Sequence, residues 1–253
     1  MPLQNNLYTF KNLSRYKNLV HGISTKAFGS MKKSDGSLDC DNLEKFRESL
    51  GISERAVCMH QVHGNHVVLI KNEKELQIAD TDGLLTKGKN IPLGVVTADC
   101  LPILFYDRKK QIVGVAHAGY KGIAKRIIHQ MVEKFRQQGS NPRDMMVGVG
   151  PGIGVCCYAV GQDRIELFQK TFPDYQEYYR REGDQYFLDL KKLALLQLLE
   201  EKIPENQIEI AKVCTVDSVS EFHSYRKEGE QSGRFISIIS RKSSSRKSSS
   251  FAL

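Results

Sequence analysis

Three short apolar runs rich in branched residues follow one another in the middle of the chain, and they constrain the fold more than any other feature. The runs cover residues 93–97, 103–107 and 112–116, and the polar turn RKKQ separates the second from the third. A short polar turn between two such runs predicts an antiparallel β-hairpin. If the strands pair directly across this turn, Pro102 lies opposite His117, and Cys100 lies near the same end, roughly 7 Å along the strand at about 3.4 Å per residue. Pro102 and the aspartate at 99 are expected to lead the backbone out of the sheet there.

Helical and strand patterns alternate over the rest of the chain, and no internal repeat is visible. Apolar residues at helical spacing or a capping aspartate predict helices at 42–50, 123–138, 162–172 and 190–202. Runs of β-branched residues predict further strands at 66–71, 146–149, 208–213 and 235–239. The segment 21–39 is rich in Gly, Ser and Lys and is predicted to be a long loop, after an edge strand or loop at 1–20. This mixed order predicts a single α+β domain with mixed or antiparallel β-sheets flanked by helices.

Positive charge is concentrated at the C-terminus. The formal net charge is +8, but residues 240–253, SRKSSSRKSSSFAL, carry four positive charges and no negative one, so the remaining 239 residues carry only +4. That balance does not predict a nucleic-acid partner, and a Ser-rich basic segment is predicted to be a disordered, solvated tail. The catalytic domain is therefore expected to occupy residues 1–239.

Composition also restricts the compartment. No run of about 18 apolar residues occurs, so no membrane span is expected. The N-terminus lacks the apolar region and the small-residue cleavage site of a secretory signal, so a cytoplasmic location is expected.

The six cysteines include no CxxC pair and are expected to remain reduced rather than to form disulfides or a zinc ribbon. The adjacent Cys156 and Cys157 are expected to be small buried side chains.

Cys100 and His117 are candidate ligands of a metal site at the end of the hairpin. The third ligand is expected from the upstream segment HQVHGNH, in which His60, His63 and His66 remain open candidates. One Cys and two His suit zinc whose fourth coordination position is open to water or substrate. The alternative from the same residues is a nucleophilic Cys–His pair without a metal.

The segment GPGIGVCCYAVG at 150–161 is a candidate anion site. Its glycines, Gly150 and Gly152 among them, are predicted to present backbone N–H groups to an anion such as phosphate. The segment lacks the GK[ST] of a phosphate loop, and packing in tight turns explains its glycines equally well. Further along, Arg226 in the loop 214–234 is a candidate to hold a phosphate or ribose oxygen, although solvated charge is the commoner role of such a residue.

Seven short motifs occur in order between residues 20 and 239. They are HGISTK (21–26), QVHG (61–64), ADTDGLLT (79–86), TADCLPIL (97–104), VAHAGYKG (115–122), GPGIGVCCYAVG (150–161) and SYRKEGEQSGR (224–234). Together they resemble the YlmD/YfiH family, which was long labelled laccase-domain or multicopper polyphenol oxidoreductase and is now regarded as a group of purine nucleoside phosphorylases with adenosine deaminase activity. The resemblance implies a complex α+β fold similar to that of a bacterial toxin deamidase, whose Cys–His pair falls on this hairpin.

The resemblance also implies a zinc ion held by His63, Cys100 and His117, which selects His63 from the three upstream histidines. It implies that purine nucleoside and phosphate are the substrates, with phosphorolysis of adenosine or inosine to base and ribose 1-phosphate, deamination of adenosine, and cleavage of methylthioadenosine. The expected catalytic residues are Cys100, His117 and Lys121. The expected substrate-binding residues are Asp82, Gly150, Gly152 and Arg226, and Asp82 is alternatively a partner of a ligand histidine.

Departures from the family motifs concern the substrate side of the site. The family commonly has HAGWRG where this chain has Tyr120 and Lys121, and an arginine where this chain has Lys26. Lysine keeps the charge but lacks the planar fork that binds phosphate or a ribose diol.

Three alternative functions stay open: a polyphenol oxidoreductase with Cu²⁺, which also binds one Cys and two His; a metal-free Cys–His hydrolase; and a metal-bound interaction module without turnover. Both a monomer and a dimer are compatible with the sequence.

Overall fold

The predicted hairpin lies at the centre of the largest sheet. The computed structural model of the protein describes residues 6–72 and 74–243. Its strands are β1 (Leu7–Tyr8), β2 (Leu19–Ser24), β3 (Cys58–Met59), β4 (Val67–Ile70), β5 (Gln77–Ile78), β6 (Gly83–Thr86), β7 (Leu93–Thr97), β8 (Leu101–Asp107), β9 (Ile112–Ala118), β10 (Met145–Val149), β11 (Ala159–Val160), β12 (Tyr179–Glu182), β13 (Gln185–Leu188), β14 (Ile208–Ile210) and β15 (Phe235–Arg241). Its α-helices are α1 (Lys11–Ser14), α2 (Cys40–Ser49), α3 (Tyr120–Ala124), α4 (Ile127–Gln137), α5 (Gln162–Thr171), α6 (Leu190–Glu200) and α7 (Tyr225–Glu228).

β8 and β9 form the hairpin with Pro102 opposite His117, so the predicted register is confirmed. The strand order of this six-stranded sheet is β14-β10-β8-β9-β6-β4. The inner neighbours pair antiparallel, whereas the edge strands β14 and β4 are parallel to β10 and β6. Pairing continues to Leu101 opposite Ala118, so the expected departure of the backbone at Pro102 is wrong. The strand tolerates the proline, whose carbonyl oxygen still accepts from the Gly150 N–H at 2.8 Å.

The second sheet is four-stranded and antiparallel, in the order β1-β2-β15-β7. It packs against one face of the six-stranded sheet, where Ile23, Val95 and Phe235 join Leu104 and Val115 in one buried cluster. Helices α4, α5 and α6 cover the other face of the six-stranded sheet through a second cluster, and α2 covers the outer face of the four-stranded sheet. This sandwich of two sheets between helices confirms the predicted α+β class.

The helix predicted from residue 123 consists of two helices. α3 ends before Arg126, which adopts a left-handed backbone with φ 64°, and α4 begins at Ile127. The apolar spacing conceals this break, because Ile123 on α3 and Ile127 on α4 are both buried in the same cluster. At the break, the Arg126 guanidinium reaches Glu200 at 2.6 Å. α3 is therefore a short separate helix that begins directly after β9.

The loop predicted at 21–39 is wrong at its start, because β2 covers Leu19–Ser24 and pairs with both β1 and β15. The polar residues of β2 are buried with partners. His21 Nε2 accepts from the Phe10 N–H at 2.8 Å, and Ser24 Oγ accepts from the Ile236 N–H at 3.0 Å. Polar residues of these types are also common in solvated loops, so the composition of the segment does not reveal that these side chains are buried. The sequence pattern also does not reveal α1 or the β12–β13 hairpin.

The C-terminal strand β15 extends to Arg241, past the domain boundary expected at residue 239. Ser240 and Arg241 pair with Val20 and Leu19 of β2. The rest of the expected tail, residues 244–253, lies outside the described residues. Among the helices of the described residues, none has both the length and the apolar character of a membrane span.

The buried His21 makes the stability of the fold depend on pH. Burial lowers the pKa of this imidazole to about 4, against 6.5 for an ordinary histidine, and the neutral ring accepts the Phe10 N–H. Between these two values the unfolded chain binds more protons than the folded chain. We therefore expect the free energy of unfolding to be independent of this group above about pH 6.5 and to fall by up to about 3 kcal/mol as the pH decreases to 4.

Urea unfolding at a series of pH values measures this dependence. His21→Gln should flatten the slope between pH 6.5 and 4, because glutamine keeps an acceptor for the Phe10 N–H but does not titrate. The matched control is His60→Gln, since the His60 side chain is 62% exposed. A wild-type slope in His21→Gln would contradict the assignment.

Candidate active site

Cys100 lies where the chain crosses from the four-stranded sheet to the six-stranded sheet. In the connection between β7 and β8, Asp99 adopts a left-handed backbone with φ 81°, which is uncommon for residues other than glycine. The buried Asp99 carboxylate holds this connection in place. Its Oδ1 accepts from the Thr215 hydroxyl at 2.6 Å, and its Oδ2 accepts from the Arg226 N–H at 2.7 Å. The connection thereby places Cys100 beside the end of β9.

His63 is presented by the turn that precedes β4, and its own backbone is left-handed with φ 57°. Asp82, directly before β6, accepts from three successive backbone N–H groups of this turn: Val62 at 3.3 Å, His63 at 3.0 Å and Gly64 at 2.7 Å. Successive N–H groups that converge in this way form a concavity for an anion. The carboxylate therefore fixes the turn and orients the exposed imidazole of His63.

His117 is buried in β9 and binds the same carboxylate. Its Nδ1 lies 2.8 Å from Asp82 Oδ1, and its backbone N–H donates to the Asp82 carbonyl oxygen at 2.8 Å. The contact through Nδ1 leaves the other ring nitrogen to face Cys100. Burial tends to raise the pKa of Asp82, but the hydrogen bonds from His117 and from the Gly64 N–H hold it below its usual value. Asp82 is therefore a carboxylate at neutral pH.

His63, Cys100 and His117 converge on one point. Their ligand atoms all lie within 4.8 Å of one another, and Cys100 Sγ is 4.0 Å from His63 Nε2. Burial tends to raise the pKa of Cys100, but His117 and His63 lower it to about 6. Burial tends to lower the pKa of His117, but Cys100 and Asp82 raise it to about 9. The thiolate favoured at neutral pH is the form of cysteine that binds metals and attacks electrophiles.

Gly119 leaves the space that this arrangement needs. A Cβ at this position would lie 2.8 Å from Cys100 Sγ and 3.2 Å from His63 Cδ2. Any side chain here would push the thiol away from the two imidazoles, so a glycine directly after β9 is part of the site geometry.

The three converging side chains line a cavity of about 580 Å³. The wall of this cavity also contains cationic side chains and tyrosines: Lys32, Arg164, Arg226, Arg234, Tyr120, Tyr158 and Tyr225. An acidic residue, Asp99, also lines it, but its carboxylate already accepts two hydrogen bonds. Such a wall suits a ligand that combines an anionic group with a flat apolar ring.

Three arginines in this wall each lie over a tyrosine ring. The distances from guanidinium carbon to ring centroid are 4.3 Å for Arg164 on Tyr120, 5.2 Å for Arg226 on Tyr158 and 5.5 Å for Arg234 on Tyr225. Their guanidinium groups donate to neutral oxygens, namely the Tyr158 hydroxyl and the carbonyls of Ala159, Ser232 and Gly233. Stacking orients the planar guanidinium groups and leaves their charge available to an incoming anion.

Only some of the residues expected to contact substrate line the cavity. Arg226 lines the cavity, whereas Asp82 does not line it and contacts Nδ1 of His117 with its carboxylate. Within the described residues, the wall does not include Lys121, Gly150 or Gly152. The Lys121 ammonium lies 6.0 Å from the centroid of the neighbouring tyrosine ring.

The glycine turn at 150–154 is closely packed. The Gly150 N–H donates to a carbonyl of β8, and the Ile153 N–H donates to the Asp99 carbonyl at 2.9 Å. A Cβ at Gly152 would lie 2.8 Å from the same Asp99 oxygen. The glycines thus let the turn approach the start of β8, and the N–H groups of Gly150 and Ile153 are already occupied.

Sequence reasoning does not find Arg164 or Lys32. Arg164 comes from α5, outside all of the motifs, and only the packing of α5 brings it to Tyr120. Arg234 and Tyr225 do have a local signal, because the segment SYRKEGEQSGR combines an aromatic residue with several charges in a loop.

Known proteins resemble this chain in sequence and in structure. Residues 19–242 match the family model described as "Multi-copper polyphenol oxidoreductase laccase". A Bacillus subtilis (strain 168) protein named purine nucleoside phosphorylase YlmD is 37% identical over 193 residues, which cover 72% of this chain and 69% of that protein. A protein named adenosine deaminase RL5, from an unknown prokaryotic organism, is 31% identical over 173 residues, which cover 68% of this chain and 66% of that protein. The crystal structure of YlmD from Geobacillus stearothermophilus matches with a TM-score of 0.84 and 28% identity, covering 92% of this chain and 94% of that one.

The Asp82 carboxylate should contribute strongly to stability as well as to site geometry. Asp82→Ala removes the acceptor of three backbone N–H groups and of His117. Because these donors are left unsatisfied, we expect the free energy of unfolding to decrease by about 3 kcal/mol. Urea unfolding at pH 7 measures the change. The control is Asp80→Ala, since the Asp80 side chain is 80% exposed, and equal losses in the two variants would refute the role assigned to Asp82.

Proposed function

The chain belongs to the family described as multi-copper polyphenol oxidoreductase laccase, and from this premise we propose that it is a zinc-dependent purine nucleoside phosphorylase. In this proposal it converts adenosine or inosine and phosphate to base and ribose 1-phosphate, cleaves methylthioadenosine in the same way, and deaminates adenosine. Relatives named purine nucleoside phosphorylase and adenosine deaminase support these reactions. The observation that carries the proposal is the convergence of one thiol and two imidazoles on a cavity walled by stacked arginines and tyrosines.

The donor set fits zinc by type and by spacing. Zn–S bonds of about 2.3 Å and Zn–N bonds of about 2.1 Å place tetrahedral ligand atoms about 3.6 Å apart. The ligand atoms of His63, Cys100 and His117 lie within 4.8 Å of one another, so small side-chain adjustments suffice. Asp82 on Nδ1 of His117 is the carboxylate partner that ligand histidines usually have. Three protein ligands are also the usual number for a catalytic zinc.

When bound, zinc supplies an acidified water for hydrolytic deamination at C6 of adenine. The protein's own residues prepare the site for this step. Asp82 would hold the proton of His117 on Nδ1, so that Nε2, once it has lost its own proton, would be free to bind the ion. The rings of Tyr120, Tyr158 and Tyr225 provide flat apolar surface for the purine.

Phosphorolysis requires that phosphate lie next to C1′ of the ribose. In that reaction one phosphate oxygen bonds to C1′, the C1′–N9 bond breaks, and its electron pair leaves with the purine, which takes up a proton. The guanidinium groups of Arg164, Arg226 and Arg234 are the groups that bind the phosphate, because they line the cavity and form no hydrogen bonds to carboxylates within the described residues. Positioning and neutralisation of charge are the main contributions of a protein to such a displacement.

A copper polyphenol oxidoreductase is the second candidate, favoured by the family description and by the donor set. One Cys and two His also bind Cu²⁺, which competes successfully with zinc at most such sites. Metal analysis and visible absorption of the purified protein distinguish the two functions, because a zinc protein is colourless and a Cu²⁺–thiolate centre is coloured.

Loss of a ligand should abolish turnover of adenosine. With phosphate the wild-type protein should yield adenine together with inosine or hypoxanthine, and without phosphate it should yield inosine alone. His63→Ala and Cys100→Ala should each lower both product rates about 100-fold or more, the scale of loss when one electrostatic group leaves an active site. Chromatographic analysis of the products measures both reactions.

The matched control is Cys40→Ala, because Cys40 is an exposed cysteine at the start of α2. Full activity in both ligand variants would refute the proposal. Activity that is lost in Cys100→Ala but survives both His63→Ala and chelation would instead support the metal-free Cys–His pair.

Arg226→Ala tests the phosphate site separately. The substitution keeps the backbone N–H that binds Asp99 and removes the side chain beyond Cβ, including the guanidinium group. Charge-assisted hydrogen bonds contribute about 1.5–3 kcal/mol, so we expect the KM for phosphate to rise about tenfold or more, with a smaller change in the phosphate-independent deamination. Steady-state kinetics at varied phosphate measures this, with exposed Arg181→Ala as the control. An unchanged KM for phosphate would exclude Arg226 from the phosphate site.

A further inference from the structure

A second group of potential metal ligands lies next to the active-site cavity, where the segment 150–161 meets the loop after β14. Cys156 and Cys157 come from the first segment, and Cys214 and Asp217 come from the loop. Their three sulfur atoms and a carboxylate oxygen all lie within 4.8 Å of one another. The thiols of Cys156 and Cys157 each lie 3.1 Å from a different oxygen of Asp217.

This arrangement corrects the expectation for the adjacent cysteines. Cys156 is exposed and Cys157 is half-buried, whereas the sequence pattern predicts small buried side chains. The reason is that both thiols turn toward the Asp217 carboxylate, which lies at the surface.

We propose that Cys156, Cys157, Cys214 and Asp217 form a structural zinc site. Three thiols are soft ligands that suit zinc, and four protein ligands close the coordination sphere, as is usual for structural sites. Cys214 and Asp217 are separated by two residues, a spacing typical of paired ligands in such sites. The site is distinct from the His63 group, with which it shares no residue.

The backbone already holds the two segments in place for this site. Gly152 and Cys214 form a parallel β-bridge, and the Gly154 N–H points at Cys214 Sγ from 3.3 Å. A Cβ at Gly154 would lie 3.0 Å from Cys156 Sγ and 3.2 Å from Cys214 Cβ, so the glycine makes room for the sulfur atoms. Little reorganisation is therefore needed for the ligands to close on an ion.

Charge and access also suit a cation at this position. On binding a divalent ion the three thiols release their protons to solvent, and the resulting three thiolates and one carboxylate carry four negative charges, half of which the ion neutralises. Lys191 and Lys212 line an adjoining cavity of about 610 Å³ together with Cys156, Cys214 and Asp217. The Lys191 ammonium is held there by the Val213 carbonyl at 2.6 Å. The cavity gives an ion a path to the ligands, and the lysines offset the remaining negative charge.

Zinc at this position fastens one wall of the active-site cavity. Cys214 directly precedes Thr215, whose hydroxyl donates to Asp99 at 2.6 Å. Cys157 directly precedes Tyr158, which lines the cavity. The ion therefore stabilises two segments of the wall without contacting substrate, and its expected effect is on thermal stability.

Cadmium binding to the full chain in a Cys100→Ser background tests the site. This substitution removes the only thiol of the His63 group, and Cys40 and Cys58 belong to none of the ligand groups within the described residues, so an ultraviolet charge-transfer band from three thiolates to cadmium is expected from the second cluster. Titration of the reduced protein with Cd²⁺ alone should saturate this band at one ion per chain. Metal analysis should find two zinc ions per wild-type chain and one in Cys100→Ser. Removal of the single zinc ion from Cys100→Ser should lower the Tm of that variant.

Two further variants in the Cys100→Ser background separate the cluster from the other cysteines. Even partners that only support a ligand change metal affinity about 10- to 100-fold, so Asp217→Asn should weaken cadmium binding at least about tenfold. Asp217 lies at the surface, so this variant is expected to fold. Cys40→Ser removes an exposed cysteine outside the cluster and should leave the titration unchanged.

The proposal is overturned if reduced Cys100→Ser shows no charge-transfer band, or if Asp217→Asn binds cadmium like its parent. A disulfide between any two of Cys156, Cys157 and Cys214 in the purified protein, detected by mass spectrometry in place of bound metal, also overturns it. None of these readouts depends on nucleoside turnover. An intact band in Cys100→Ser, together with wild-type protein that is inactive on adenosine, would therefore refute the proposed function alone.

Discussion

The Asp82 carboxylate is the constraint on which the candidate active site depends. It is buried, and burial of a charged carboxylate is costly unless hydrogen bonds compensate it. The compensating donors are the backbone N–H groups of the His63 turn and the imidazole of His117. The turn and the strand must therefore assemble around Asp82 for the carboxylate to remain ionised. One buried charge thus positions two of the three candidate ligands, although they come from distant parts of the sequence.

A second buried aspartate does the same for the third candidate ligand. Asp99 precedes Cys100 in the crossing between the two sheets and accepts from Thr215 and from the Arg226 backbone. The chain that turns out of one sheet toward the other is thereby fixed to the loop that supplies part of the cavity wall. The thiol and the Arg226 guanidinium are consequently positioned by one carboxylate, and a site assembled from loops gains the rigidity that oriented binding requires.

Local patterns predict the hairpin and its register, because a polar turn between two apolar runs leaves few ways to pair them. The same register predicts that Cys100 and His117 approach each other. It cannot choose among three upstream histidines, since the orientation of that turn depends on hydrogen bonds that its N–H groups donate to Asp82, which lies well downstream. The strand β2 escapes prediction for a similar reason, because its partner β15 is distant in sequence. The break at Arg126 escapes prediction because the apolar residues on both sides of it pack in the same cluster. Family motifs supply such long-range information only for residues inside the motifs, so they do not identify Arg164 in α5.

The residues that depart from the family motifs differ in whether their side chains line the cavity. Tyr120 lines it, and Arg164 stacks on that ring with 4.3 Å between guanidinium carbon and centroid. Lys26 acts indirectly, because its ammonium pairs at 2.5 Å with Glu228 in α7, and a lysine makes one such contact where an arginine fork can make two. Lys121 is outside the wall that the described residues form. A change at position 120 therefore alters both the aromatic surface offered to a ligand and the orientation of a cation beside it. The Lys121 ammonium is 6.0 Å from the centroid of that ring, against 4.3 Å for the Arg164 guanidinium carbon, so of the two departures the tyrosine has the more direct effect on the shape and charge of the cavity.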